Sequence, residues 1–212
     1  MSSRIGVSVV AVLRLGFAAL GTYTLAVACN RASTPPQGVG TLNFFSYFTI
    51  LSNASATVEL AYGGVALLVG PRGVPDGVRG AVTAYMVVTG IIYAVILQQQ
   101  EAGQIAVWID DVVHRVMPVA IFLDWLVTPP LGRQRYSILR YWLLFPLAFA
   151  AYSLIRGHFA NWYPYPFLNP GPRGYAHVAL QCCLIGLVIA AVCLAVVWLG
   201  RLTRGAFPAD TR

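Results

Sequence analysis

Six long apolar runs constrain this chain more than any other feature. They lie at roughly 6–28, 43–69, 79–99, 106–128, 138–156 and 175–200, and each holds about the 20 residues a helix needs to span a bilayer. Turn-forming punctuation separates them, as at Pro35-Pro36-Gln37-Gly38, Pro71-Arg72-Gly73, Pro129-Pro130-Leu131-Gly132 and Asn169-Pro170-Gly171-Pro172. No soluble domain fits between them. Only 10% of the residues are charged and 58% are hydrophobic, whereas a soluble domain carries about 25% charged residues. The pattern predicts an all-α, polytopic membrane protein, a single domain over residues 1–212 with six transmembrane helices. No internal repeat is visible, so an inverted-repeat transporter has no support in the sequence.

All 14 basic residues are arginines and the net charge is +7. They are scattered over short loops and form no basic, aromatic-interleaved face, so nucleic acid is not implied and membrane topology explains them better. With the N-terminus in the cytoplasm, the inner segments hold Arg4, Arg72, Arg79, Arg133, Arg135, Arg140, Arg201, Arg204 and Arg212. The outer segments hold Arg31, Arg156 and Arg173, with the acids Glu101, Asp110 and Asp111. Nine against three predicts that both termini face the cytoplasm. The first run loosely resembles a lipoprotein signal, with Arg4 ahead of it and Ala26-Val27-Ala28-Cys29 near its end. Arg14 interrupts its apolar centre, so it is expected to stay as a spanning helix. Cys29, Cys182, Cys183 and Cys193 form no C-x-x-C pair. They read as buried small apolar residues rather than a metal site or a disulfide framework.

On this topology the second and fourth runs both enter from outside. Counting from Asn43, Thr49 lies roughly 9 Å down and Asn53 roughly 15 Å down. Counting from Ala106, His114 lies roughly 12 Å down. A hydroxyl and an imidazole at matched depth are what a nucleophile and its base require, and lipid ester bonds lie in that zone. Ser46, Thr49 and Asn53 fall at i, i+3 and i+7, one stripe of a helix. The plainer reading of such a stripe is close helix packing, with Thr bonding the carbonyl four residues back.

The fourth run carries Asp110, Asp111, His114, Arg115 and Asp124. Ionisable groups at membrane depth face an interior and are functional candidates by default. Asp110 precedes His114 by four residues and Asp111 precedes it by three, so either carboxylate can hold the imidazole. Both also suit a solvated helix start. Pro118 is expected to kink the helix and to free the carbonyl of His114. Deeper in, Arg14 is expected to form a structural interhelical pair with Glu59 or Asp124. The loop His158-Phe159-Ala160-Asn161-Trp162-Tyr163-Pro164-Tyr165-Pro166-Phe167-Leu168 is held extended by its two Tyr-Pro steps. It reads either as an interfacial aromatic belt or as a lid over the outward-facing site, with Tyr163 or Tyr165 donating a hydrogen bond.

Three segments carry a family resemblance. They are Phe45-Ser46-Tyr47-Phe48-Thr49-Ile50-Leu51-Ser52-Asn53, then His114-Arg115-Val116-Met117-Pro118 with Asp124-Trp125, and then Tyr163-Pro164-Tyr165-Pro166-Phe167-Leu168. Together, in this order over most of the chain, they resemble the androgen-induced-gene family of six-helix membrane proteins, particularly its bacterial branch. Animal members are threonine hydrolases that split fatty acid esters of hydroxy fatty acids within the membrane. The resemblance implies Thr49 as nucleophile and His114 as base, a lipid substrate drawn from the bilayer, and a bacterial inner (plasma) membrane location. No cofactor and no metal are implied. Asn53 is the expected oxyanion donor, and Asn169 receives no role. Two other readings compete: a small-molecule or proton-coupled transporter using His114, its acids and Arg14, and a haem or quinone protein using His114, His158 and His177.

Overall fold

The computed structural model of the protein describes residues 2–34, 38–70, 73–98 and 106–203, with side chains from residue 6 onward. Pro35, Pro36, Gln37, Pro71, Arg72, Glu101, Arg204 and Arg212 lie outside the described residues, as does the side chain of Arg4. The described chain is all-helical. It runs α1 (Ser2–Ser33), a short α2 (Thr41–Phe44), α3 (Phe48–Val69) and α4 (Asp76–Ile92), which continues into a π turn (Tyr93–Leu97). Next, α5 (Val107–Asp111), a π turn (Val112–Val116) and α6 (Met117–Val127) form one rod. A 3-10 turn (Tyr136–Ile138), α7 (Leu139–Trp142), α8 (Leu144–Ala160), a second 3-10 turn (Pro166–Leu168) and α9 (Gly174–Thr203) complete it.

Among the described residues, four helical stretches are long and apolar enough to cross a membrane: Gly6–Ser33, Asp76–Leu97, Tyr136–Ala160 and Gly174–Thr203. The two other long helices are more polar. α3 is diluted by Ser52, Asn53, Ser55, Thr57 and Glu59, and the α5–α6 rod carries Asp110, Asp111, Arg115 and Asp124. α3 puts Thr49, Ser52, Asn53 and Glu59 inside the bundle, packed against α1 and α4. The outward faces of α1, α8 and α9 are rich in exposed Val, Leu and Ile. Polar residues inside and apolar residues outside suit a lipid-facing surface.

Small residues let the helices approach. A methyl group on Gly64 of α3 would lie 2.8 Å from Leu15 Cγ of α1, so the side chain of Leu15 fills that notch. On α4, a methyl on Gly90 would lie 3.4 Å from the carbonyl oxygen of His114 and 3.3 Å from Pro118 Cβ, which brings α4 close beside the imidazole's own backbone. Among the described residues four buried clusters fill the interior, two of them central. Trp125 and Trp142 pack with Cys193, Val196 and Val197 of α9, and Leu60, Met86, Met117 and Ile121 tie α3, α4 and α6 together. Cys193 is the cysteine the core buries; Cys29 and Cys182 are half-buried and Cys183 faces outward.

Two expected helices are interrupted, each for a local reason. The run from 43 breaks at Tyr47, whose extended backbone (φ −88°, ψ 133°) separates α2 from α3. Ser46 therefore sits in the turn ahead of α3 and not on a stripe with Thr49 and Asn53. In the fifth run, Pro146 has no N–H for the carbonyl of Trp142 four residues back, and its ring crowds that oxygen. Tyr85 of α4 supplies the missing donor, its hydroxyl bonding Trp142 O at 2.8 Å.

Arg14 forms the structural pair expected of it, with Asp124 rather than Glu59. Its Nε and Nη2 reach the two Asp124 oxygens at 2.7 and 2.9 Å. Arg79 joins this pair, donating to Asp124 Oδ2 at 2.9 Å and to Thr128 Oγ1 at 2.6 Å, and its Nε lies 3.5 Å from Glu59 Oε1. The buried Arg14 and Arg79 thus face a buried Glu59 and a largely buried Asp124, drawn from α1, α3, α4 and α6.

Candidate functional site

Thr49 and His114 meet. Thr49 stands in the first turn of α3 and His114 in the π turn between α5 and α6, and Thr49 Oγ1 lies 3.3 Å from His114 Nε2. Both are buried, at 7% and 4% exposure. The imidazole is fixed on three sides. Its Nδ1 lies 2.8 Å from Asp110 Oδ1, one helical turn back. Its ring stacks on Tyr93, with centroids 4.1 Å apart and planes 5° apart. The hydroxyl of Tyr93 in turn donates to the second oxygen of Asp110. Asp110 therefore holds the imidazole. Asp111 points elsewhere and pairs with Arg115 on the exposed face of the rod.

The π turns put these rings in register. A π turn adds one residue to a helical turn and re-aims the side chains within it, a feature often found at functional sites. Tyr93 opens one π turn and His114 is central in the other. In the second, the N–H of Met117 bonds Val112 O, five residues back. In that register Pro118 aligns with Val113, so the proline leaves the carbonyl of Val113 open rather than that of His114. Asn53 fills it, its Nδ2 donating to Val113 O at 3.0 Å and to Thr49 O at 2.9 Å. Both amide hydrogens of Asn53 are thus committed to backbone carbonyls. Asn53 is a strut that sets the spacing of Thr49 and His114, and it has no donor left for an oxyanion.

The loop after α8 delivers the remaining polar group. Asn161 ends α8 in the left-handed region (φ 53°), a common helix stop for Asn. Pro166 holds Tyr165 extended (φ −135°, ψ 142°), and the Tyr165 ring turns into the interior. Its hydroxyl oxygen accepts from the backbone N–H of Thr49 at 3.2 Å and lies 3.3 Å from Thr49 Oγ1. Tyr163 is not brought to the site, because its ring lies over Gly157 of α8. Ser46 is also turned away, bonding Tyr152 at 2.8 Å and Leu42 O at 2.8 Å. Among the described residues no three His, Cys, Asp or Glu side chains converge as metal ligands. His158 lies instead at the end of α8, 3.4 Å from the hydroxyl of Tyr175.

One proton path satisfies every contact. The imidazole Nδ1–H donates to Asp110, which leaves Nε2 free to accept from Thr49 Oγ1, and the Tyr165 hydroxyl donates to the same oxygen. Chemically this is a hydroxyl beside an oriented base, with the base held by a carboxylate. Thr49 also lies in the first turn of α3, where N–H groups have no acceptor within the helix, a position that favours negative charge. Beyond Thr49 and Tyr165 opens an apolar cavity of about 290 Å³, bounded by α4, α8 and α9. Arg79 and Tyr93 are two residues that sequence reasoning missed. An arginine at the edge of an apolar run reads as a loop marker, and a tyrosine within such a run carries no signal of its own. No family model, curated protein or solved structure matches the chain.

Proposed function

We propose that this protein is an intramembrane lipid ester hydrolase that uses Thr49 as nucleophile and His114 as base. One observation carries the reading: the hydrogen-bonded series Tyr93–Asp110–His114–Thr49 ends at the mouth of an apolar cavity. Thr49 Oγ bonds to the acyl carbon while its proton passes to His114 Nε2. The imidazolium returns that proton to the departing alcohol oxygen as the ester C–O bond breaks. Water then gives a proton to His114 and attacks the acyl-threonine, and the free acid leaves as the proton returns to Thr49 Oγ. The Tyr165 hydroxyl and the Thr49 amide N–H bond Thr49 Oγ1 and the Tyr165 oxygen, respectively; in this reading both turn to the oxyanion as Thr49 Oγ attacks, in the role expected of Asn53.

The same proposal includes six spans, both termini in the cytoplasm, and a site in the outer half of a bacterial inner membrane. The arginine count supports that topology, and the resemblance to the androgen-induced-gene family supports fatty acyl esters, such as fatty acid esters of hydroxy fatty acids, as substrates. The α5–α6 rod is polar for a spanning helix, but Asp110, His114 and Asp124 all find partners inside the bundle, which offsets the cost of carrying them into the membrane.

A fluorophosphonate-type probe with purified full-length protein tests the chemistry. Wild type and Thr49→Ser should be labelled. Thr49→Ala and His114→Ala should not, and each should lose ester hydrolysis by about 10⁴-fold or more while remaining folded. Unchanged labelling and hydrolysis in Thr49→Ala would remove the proposal.

A further inference from the structure

The cavity beside Thr49 has a direction. Along α9 it is lined by Cys182, Ile185, Gly186, Ile189 and Ala190, a spacing that marks one helix face. Those eight steps cover roughly 12 Å. Along the facing segment it is lined by Leu143, Pro146, Leu147 and Ala150, again one face. The Thr49 and Tyr165 hydroxyls stand at one end of this bore. Thr89, also in the wall, turns its hydroxyl to the carbonyl of Tyr85 at 2.9 Å, which leaves its methyl group for the cavity. The wall is otherwise apolar apart from the Cys182 thiol.

The bore is open on one side. α8 and α9 make few direct contacts with each other. Leu147 on α8 is 65% exposed, and Gly186 on α9 is exposed as well. A side chain at Gly186 would meet nothing within 4 Å. Both helices belong to stretches long and apolar enough to lie in a membrane, so the solvent at this opening is lipid acyl chain rather than water.

We propose that the acyl arm of the substrate enters sideways from the bilayer between α8 and α9 and lies along this bore with its carbonyl at Thr49. This rests on the hydrolase reading above. Gly186 and Ala190 are then specificity-determining residues, Gly186 at the opening and Ala190 at the far end. A bore of roughly 12 Å takes an extended arm on the order of ten carbons, and longer arms must leave through the opening.

Two measurements on the full-length protein in nanodiscs test this. The first compares kcat/KM for chromogenic butyryl, octanoyl, decanoyl and palmitoyl esters in wild type, Gly186→Phe and Ala190→Phe. Wild type should prefer the octanoyl and decanoyl esters, and both variants should lower the decanoyl-to-butyryl ratio by about tenfold or more. The second needs no turnover. A decanoic acid carrying a diazirine on its terminal carbon is photolysed with wild type and with Thr49→Ala. Adducts should map to residues 143–150 and 182–190 in both proteins and disappear in Ala190→Phe. Adducts elsewhere, or labelling that Ala190→Phe leaves in place, would overturn the acyl route even where esters are cleaved. Correct adducts without any Thr49-dependent hydrolysis would keep the route and reject the hydrolase.

Discussion

Replacing Asp110 with alanine separates a positioned imidazole from one that is merely buried. Asp110 gives one oxygen to His114 Nδ1 at 2.8 Å and the other to the hydroxyl of Tyr93. In Asp110→Ala the imidazolium formed during attack loses a charge-assisted hydrogen bond, about 1.5–3 kcal/mol. That corresponds to a loss of roughly 10- to 150-fold in rate. Loss of the correct tautomer adds to this, and removing tautomer control in an unrelated triad costs about 10⁴-fold. The expected fall in kcat therefore lies between about 10² and 10⁴. Asp111→Ala is the internal control. Its partner Arg115 is 49% exposed at the side chain, and such surface pairs contribute about 0–1 kcal/mol. Both variants should fold, since each site lies near the start of the rod formed by α5, its π turn and α6. Single-turnover cleavage of a fluorogenic ester gives the rates, and thermal unfolding in detergent checks the fold. If Asp110→Ala stays within threefold (about 0.7 kcal/mol) of wild type while His114→Ala is inactive, the carboxylate has no part in orienting the base. An Asp111→Ala loss as large as that of Asp110→Ala would also refute the assignment.

Three further outcomes are expected. Tyr165→Phe should lower kcat by about 10²-fold or more, whereas Tyr163→Phe should stay near wild type; equal activity in all three proteins would remove Tyr165 from the oxyanion site. Arg14→Ala should reduce folded yield and thermal stability, because breaking a buried pair costs about 3–5 kcal/mol; a normally folded, inactive Arg14→Ala would instead put Arg14 in the site. Reporter fusions should place both termini and the loops 71–78 and 129–137 in the cytoplasm, and external labelling of a cysteine in 129–137 on intact cells would move Thr49 and His114 to the other leaflet.

The helices were legible because each apolar run is far longer than a buried strand or loop allows, so the boundaries could only slip by a few residues. The Thr49–His114 meeting was legible for a different reason: two polar groups in separate apolar runs have few places to go. The choice between Asp110 and Asp111 was not, since residues three and four before His114 both neighbour it on an ideal helix. The π turn at 112–116 settles it, together with a Tyr93 ring that no local pattern announces. Thr49 was expected some way down a helix that began near 43. Tyr47 breaks that helix, and this places Thr49 in the first turn of α3, where its backbone N–H has no acceptor within the helix and goes to the Tyr165 hydroxyl. Ser46 and Asn53 show the limit of stripe arguments. One lies off the helix, and the other spends its amide on Val113, an acceptor opened by a proline on another helix.

The ion cluster of Arg14, Arg79, Glu59 and Asp124 also bears on the order of assembly. Arg14 and Asp124 are 110 residues apart, so α1 carries its cation into the bilayer well before that partner has been synthesised. A lone charge at a helix centre costs about 2.5–3.5 kcal/mol on insertion scales. α3 then brings Glu59 and α4 brings Arg79, which lie 3.5 Å apart, so the two arginines share one buried acid until α6 is made. Only when α6 arrives do both guanidinium groups find the Asp124 carboxylate. The cluster is thus a latch set by chain growth: chains cut before residue 124 should insert and then be cleared by membrane quality control, while chains that reach α6 can close around it.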